Sequence, residues 1–263
     1  MSPEVNEWLN LTFRWLHVVA GILWIGHLYF FNFVNAQLVK TYDADTKKKV
    51  VPELMPRALY WFRWGAAITW ITGILLLGMV IYMGGALSNP EQSFSGNVGA
   101  GAAVSFGSIV AGFVIYDFLW KSGLGKNEKA GAVVSFLLLA ALVFFWSKIF
   151  SGRAVYIHVG ALFGTIMAAN VWMRIWPSQR KIIAGIKGTG PAPDPSVPAM
   201  AGLRSKQNTY LSVPLVLTMV SNHYPTIYGA DWGWIALLAM VLVGWALAMR
   251  MYKISAGAAP AQF

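Results

Sequence analysis

Residues 14–35, RWLHVVAGILWIGHLYFFNFVN, are apolar enough to enter a bilayer yet include Arg14, His17, His27, Asn32 and Asn35. Ionisable groups at membrane depth are costly and by default mark a function, so this stretch governs how the rest of the chain is read. A neutral imidazole there can ligate a metal or haem iron, donate a hydrogen bond to a neighbouring helix, or relay protons.

The remaining sequence has the same character. Of its 263 residues 57% are hydrophobic and 11% charged, a balance outside that of soluble domains, and the expected class is an all-α polytopic transmembrane bundle. The formal charge of +10 lies in short stretches between apolar segments. It reads as a topology signal and gives no reason to expect nucleic acid. Cysteine is absent, which excludes disulfides, thiolate metal sites, iron–sulfur clusters and covalent c-type haem within this chain. The opening MSPEVNEW is acidic where a signal peptide would be basic, so the first apolar run is expected to be retained as a helix.

Spanning a hydrocarbon core of about 30 Å takes roughly 17–25 mostly apolar residues. Seven segments qualify: 8–38, 59–84, 98–120, 130–150, 154–176, 208–224 and 232–252. The sixth is short and contains Pro214, which should kink it. Lysine and arginine follow the first segment (Lys40, Lys47, Lys48, Lys49, Arg57), the third (Lys121, Lys126, Lys129) and the fifth (Arg180, Lys181, Lys187, Arg204, Lys206). Residues 86–97 and 225–231 contain neither. The bias predicts an N-terminus outside and a C-terminus in the cytoplasm, in a multi-pass membrane protein. Between the fifth and sixth segments lies GTGPAPDPSVPAMAG (188–202), and residues 177–207 read as a flexible cytoplasmic linker within one transmembrane domain, with a lid as the alternative.

Four histidines are the candidate cofactor ligands. His17 falls about 13 Å along the first helix, His158 near the start of the fifth and His223 at the end of the sixth, so these three should share the outer half of the membrane. His27 lies about 15 Å deeper than His17 and is rotated by roughly 80°. Two imidazoles on different helices at one depth suit an axially ligated b-type haem, with His17, His158 and His223 as candidate iron ligands and Gly21 allowing a flat ring to approach. Interhelical hydrogen bonding is the simpler alternative, and Gly160 and Gly164 suit close helix packing. A non-haem metal is disfavoured, Asp231 being the carboxylate near the outer histidines. Trp24 and Trp70 are deep enough to line a cofactor, or to pack.

A second polar group comprises Asn32, Asn35, Tyr60, Arg63, Asp117, Asn170 and Arg174. Arg63 and Asp117 could form an ion pair locking two helices. Alternatively, Arg63, Asp117 and Asn170 could belong to a cytoplasmic pocket for an anionic planar substrate or a quinone. Phosphate-cradling loops and hydrolase triads are not found, which disfavours ATP-driven transport and hydrolysis.

Residues 14–35, together with SGRAVYIHVGALFGTIMAANVWMRIWPSQRKII (151–183) and RSKQNTYLSVPLVLTMVSNHYP (204–225), resemble the N-terminal membrane domain of the bacterial membrane-bound urate oxidases, the cytochrome-c-linked urate hydroxylases. RWLHVVAGILWIG (14–26) is also similar, more loosely, to the first helix of small haem-binding membrane proteins of the protoporphyrinogen oxidase and copper-resistance type. The resemblance implies oxidation of urate to 5-hydroxyisourate with electrons passed to a cytochrome c domain. The sequence stops after its seventh segment without a Cys-x-x-Cys-His, so a separate cytochrome c or respiratory-complex subunit is the expected acceptor. Two other roles stay open: a non-catalytic haem b electron-transfer or anchoring subunit, and a transporter or structural subunit without cofactor.

Overall fold

The computed structural model describes residues 2–257. It is helical throughout, with no strand among the described residues. Six helices are long and apolar enough to cross a membrane: α1 (Pro3–Thr41), α2 (Ala44–Tyr82), α3 (Val98–Leu119), α4 (Glu128–Ile149), α5 (Gly152–Lys187) and, last in the chain, α7 (Gly233–Gly257). Between the last two lies α6 (Ser196–Val220), which runs through Pro214 and is not among those six. The expected sixth span, 208–224, is therefore the second half of a longer, more polar helix that ends in a tight turn at Ser221–His223.

Several helices outrun their apolar segments. At about 1.5 Å per residue, the 39 residues of α1 and of α2 each reach roughly 58 Å, about twice a hydrocarbon core. Lys47, Lys48, Lys49 and Arg57, expected in a loop, lie on the helical start of α2. The expected 177–207 linker is likewise helical as far as Lys187 and again from Ser196. Pro198 falls in the first turn of α6, where a missing N–H costs little. Gly188 closes α5 at φ +74°, and the Thr189 N–H donates to the Ala184 carbonyl at 3.0 Å, a glycine-dependent helix stop.

Helix starts are capped by short polar side chains that take up otherwise unpaired N–H groups. Asp43 accepts from the Thr46 N–H, Asn97 from Ala100, Asn127 from Lys129 and Ala130, Ser151 from Ala154 and Asp194 from Ser196.

By its contacts the chain forms two compact units. The first comprises residues up to 13, 73–166 and 214–243. Here the 83–97 connection is tied to the α4–α5 junction: the Ser151 N–H donates to the Leu87 carbonyl at 2.9 Å, Ser151 Oγ to the Ala86 carbonyl at 2.7 Å and Gln92 Nε2 to the Phe150 carbonyl at 2.8 Å. Gly152 and Gly160 permit close approach, since a Cβ at the first would collide with the Tyr228 carbonyl and one at the second with Thr218 and Met219. The second unit comprises 14–72, 167–213 and the residues from 244. In it, Gly65 brings α2 against α1, a Cβ there falling 3.0 Å from the Trp24 nitrogen.

The most apolar stretch of α5 is 72% buried, against 17–28% in the other five membrane-length helices. The buried polar residues Arg204, Asn208, Thr209, Ser212 and Thr218 all lie on α6. α6 buries these polar groups while leaving Val216 and Val220 exposed.

Candidate functional site

His158, in the first unit, is fully buried, and its chemistry follows from its partners. Nδ1 lies 2.5 Å from the Ala154 carbonyl, which can only accept, so Nδ1 carries the proton and Nε2 the lone pair. Nε2 meets Ser105 Oγ in a short hydrogen bond, and Ser105 in turn lies 2.7 Å from the Tyr82 hydroxyl. For a neutral imidazole the direction is settled: Ser105 donates to His158 and Tyr82 donates to Ser105. Phe150 stacks on the imidazole at 5.2 Å between ring centroids, and Trp146 meets it edge-on at 5.5 Å. The Trp146 indole N–H is held by Ser108 Oγ at 3.0 Å. Tyr82 ends the wide π-helical turn Leu77–Tyr82, a distortion often found at functional positions.

His17, in the second unit, is arranged differently. Its Nδ1 is 3.1 Å from Thr72 Oγ1. The Thr72 hydroxyl proton is committed to backbone carbonyls, with Ile68 O at 2.7 Å, so Thr72 accepts from His17. That fixes the tautomer and makes His17 Nε2 the lone-pair nitrogen, the state in which histidine binds metal while its other N–H is held. His27 is set in the same sense, with Nδ1 at 2.7 Å from the Leu23 carbonyl. As donors, His17 and His27 would each have Nε2 available to hold a haem iron. His158 would do so only if Ser105 released it. His223 is exposed on its turn in the first unit. Gly21 faces Thr69 on α2 at ordinary contact distance. Among the described residues, no three His, Asp or Glu side chains are placed to hold a metal ion.

The second unit also contains a buried polar network centred on α6. Asn170 Nδ2 donates to Asn208 Oδ1 at 2.9 Å, and Asn208 Nδ2 to the Met167 carbonyl at 3.0 Å. Asn32 donates to Ser205 at 2.8 Å and accepts from the Tyr252 hydroxyl at 2.9 Å. Ser212 gives its proton to the Thr209 carbonyl, so Tyr29 donates to Ser212 across 3.0 Å. Of two further π-helical turns, Phe30–Asn35 contains Asn32 and Val171–Ile175 directly follows Asn170. Asn35 donates to the Met55 sulfur at 3.6 Å, and its Oδ1 is buried without a partner.

The inner candidates are largely engaged. The Arg63 guanidinium lies 4.1 Å from the Trp176 ring centroid, with Tyr60 and Trp172 at 5.7 and 5.8 Å, which favours it by cation–π attraction. Asp117 makes an ion pair of 2.6 Å with Lys121, four residues along the chain. Asn170 is fully buried. The sequence reading did not single out Ser205, Asn208, Thr209, Ser212 or Tyr252. The signal was present, since 205, 208, 209 and 212 fall on one face at helical spacing.

Long apolar helices carrying imidazoles and buried polar groups define an all-helical membrane protein. The chain matches the family model described as urate oxidase N-terminal over residues 3–260, and it belongs to that family. No curated protein and no solved structure matches it.

Proposed function

We propose that this protein is a membrane-bound b-type haem oxidoreductase of the urate oxidase kind, oxidising urate and passing the electrons to a separate cytochrome c-like acceptor. In this reading it crosses a bacterial inner membrane seven times, with its N-terminus outside and its C-terminus in the cytoplasm. At about 1.5 Å per residue the 25 residues of α6 reach roughly 37 Å, enough for the seventh crossing, and residues 86–97 and 225–231 carry no lysine or arginine.

The observation that carries the cofactor assignment is His17. It lies in a membrane-length helix, with Nδ1 committed to Thr72 and Nε2 left as the lone-pair nitrogen. Haem b bound there would accept and release single electrons between substrate and acceptor. Thr72 holds the imidazole in the ligating tautomer, and the surrounding apolar helices exclude water. The overall chemistry balances as urate plus water giving 5-hydroxyisourate, two protons and two electrons, the electrons leaving for two one-electron acceptors.

A non-catalytic electron-transfer subunit is the second reading, favoured by the engagement of Arg63 under Trp176 and of Asn170 with Asn208. The deciding experiment is a reduced-minus-oxidised absorption spectrum of the detergent-purified protein, first with dithionite and then with urate. Sharp b-type bands reduced by urate support the enzyme. Bands reduced by dithionite alone support the electron-transfer subunit, and a spectrum without bands removes haem from both.

A further inference from the structure

The first unit contains a cleft of about 360 Å³, within the range of about 300–1,000 Å³ usual for small-molecule sites. Its walls include Asn89, Gln92, Lys148, Tyr228, Asp231 and Trp234. A neighbouring recess of about 250 Å³ shares Asn89 and Tyr228 with it and adds Arg153. Arg63, Asp117 and Asn170 line neither.

The walls are fixed. Gln92 holds the Phe150 carbonyl through Nε2 and accepts from the Asn89 N–H at 2.8 Å through Oε1. The Tyr156 hydroxyl donates to the Gly233 carbonyl at 2.7 Å, which sets its ring as an aromatic wall. Gly152 lets the Tyr228 carbonyl approach α5 so closely that no larger residue fits. Preorganised walls of this kind lower the ordering cost of binding.

The charged groups on those walls, by contrast, are not tied to one another. Lys148 and Asp231 line the same cleft without forming an ion pair, and the Lys148 ammonium rests 4.9 Å from the Phe144 ring centroid. The Asn89 side-chain amide is exposed beside them. A cation, a carboxylate and an amide around aromatic faces complement a flat ring that carries a negative charge and is edged with both N–H donors and carbonyl acceptors. Too small for a porphyrin, the cleft has the scale of one fused heterocycle.

We propose that this cleft binds a planar oxopurine anion such as urate, with Lys148 meeting an exocyclic carbonyl oxygen, Asp231 and Asn89 meeting ring N–H groups, and Tyr228 and Trp234 flanking its faces. The proposal rests on the urate oxidase reading and moves the substrate from the Arg63 region to the side bearing residues 86–97 and 225–231, which that topology places outside.

The test is equilibrium dialysis of radiolabelled urate against the full chain in detergent, with inorganic phosphate as competitor. Lys148→Gln is expected to weaken binding about tenfold or more, and Lys148→Arg to retain most of it. Ala230→Trp, which fills the cleft without removing a polar group, should abolish binding. Phosphate in excess should leave bound urate unchanged, and full displacement by it would mean an anion site without ring recognition and overturn the proposal. Urate bound by Lys148→Gln and Ala230→Trp as tightly as by the unaltered chain overturns the cleft and leaves the oxidoreductase reading standing. An unaltered chain that binds no urate overturns that reading, and the cleft assignment with it. Lys148 is exposed and its ammonium rests on a ring of its own helix, so Lys148→Gln should fold even if Ala230→Trp does not, and its melting temperature checks this.

Discussion

His158 and His17 are the same side chain on membrane-length helices, and they differ in what the protein leaves over. In the first unit both ring nitrogens of His158 are spent, on the Ala154 carbonyl and on Ser105, and aromatic rings cover its faces. In the second unit Thr72 takes Nδ1 of His17 and leaves Nε2 as the lone-pair nitrogen. A buried imidazole with every nitrogen satisfied contributes to the fold, whereas one held by a single nitrogen keeps a lone pair that a ligand could take. The presence of an intramembrane histidine alone does not distinguish the two.

The largest expected effect sits on this contrast. On the haem reading, His17→Ala should lower haem content more than about tenfold, measured as the pyridine haemochrome per protein, because the imidazole that would hold the iron is removed. His158→Ala should leave haem content near that of the unaltered protein. The reverse pattern would exchange the roles of the two histidines. The next effect is on stability. His158→Ala empties a buried aromatic box and leaves the Ser105 hydroxyl without its acceptor, at a cost of about 3 kcal/mol from cavity and hydrogen-bond losses together. A thermal melt in detergent that moves less than that of His17→Ala would break the comparison.

Much of this was legible in the sequence, in proportion to how local each cause is. The apolar run around His17 and His27 announced a helix of membrane-spanning length, and it is α1. The tautomer of His17 could not be read, because it depends on Thr72, 55 residues away. Arg204 and Lys206 made the start of α6 look like a cytoplasmic loop, since composition alone does not separate a polar helix enclosed by other helices from a solvated connection. Arg204 is in fact 1% exposed. The cleft was less legible still, because Asn89, Lys148 and Asp231 come from three separate connections and helix ends. Each on its own reads as an ordinary surface residue.

The polar network of the second unit provides a smaller effect that sharpens the contrast with the histidine box. Asn208→Ala removes the acceptor of Asn170 Nδ2 and the donor to the Met167 carbonyl, at a cost of about 2 kcal/mol. The double variant Asn170→Ala/Asn208→Ala should cost less than the sum of its parts, since the two amides satisfy one another. Strict additivity in the melts would mean that the pair is not coupled.

The smallest expected effect lies outside the membrane-length helices, at the cap of α6. The Ser196 hydroxyl and backbone N–H hold the Asp194 carboxyl below its ordinary value. A carboxyl lowered in the folded state stabilises it fully above the unfolded value, about 3.9, and loses that contribution as pH falls through the folded value. Amide exchange in the first turn of α6 should therefore be slower than in Asp194→Ala at pH 6, with the difference closing toward pH 3. Asp194→Asn, which caps without titrating, should keep its protection relative to Asp194→Ala at both pH values. A difference between the native chain and Asp194→Ala that persists unchanged at pH 3 would show that this turn is held by its packing and not by the carboxylate.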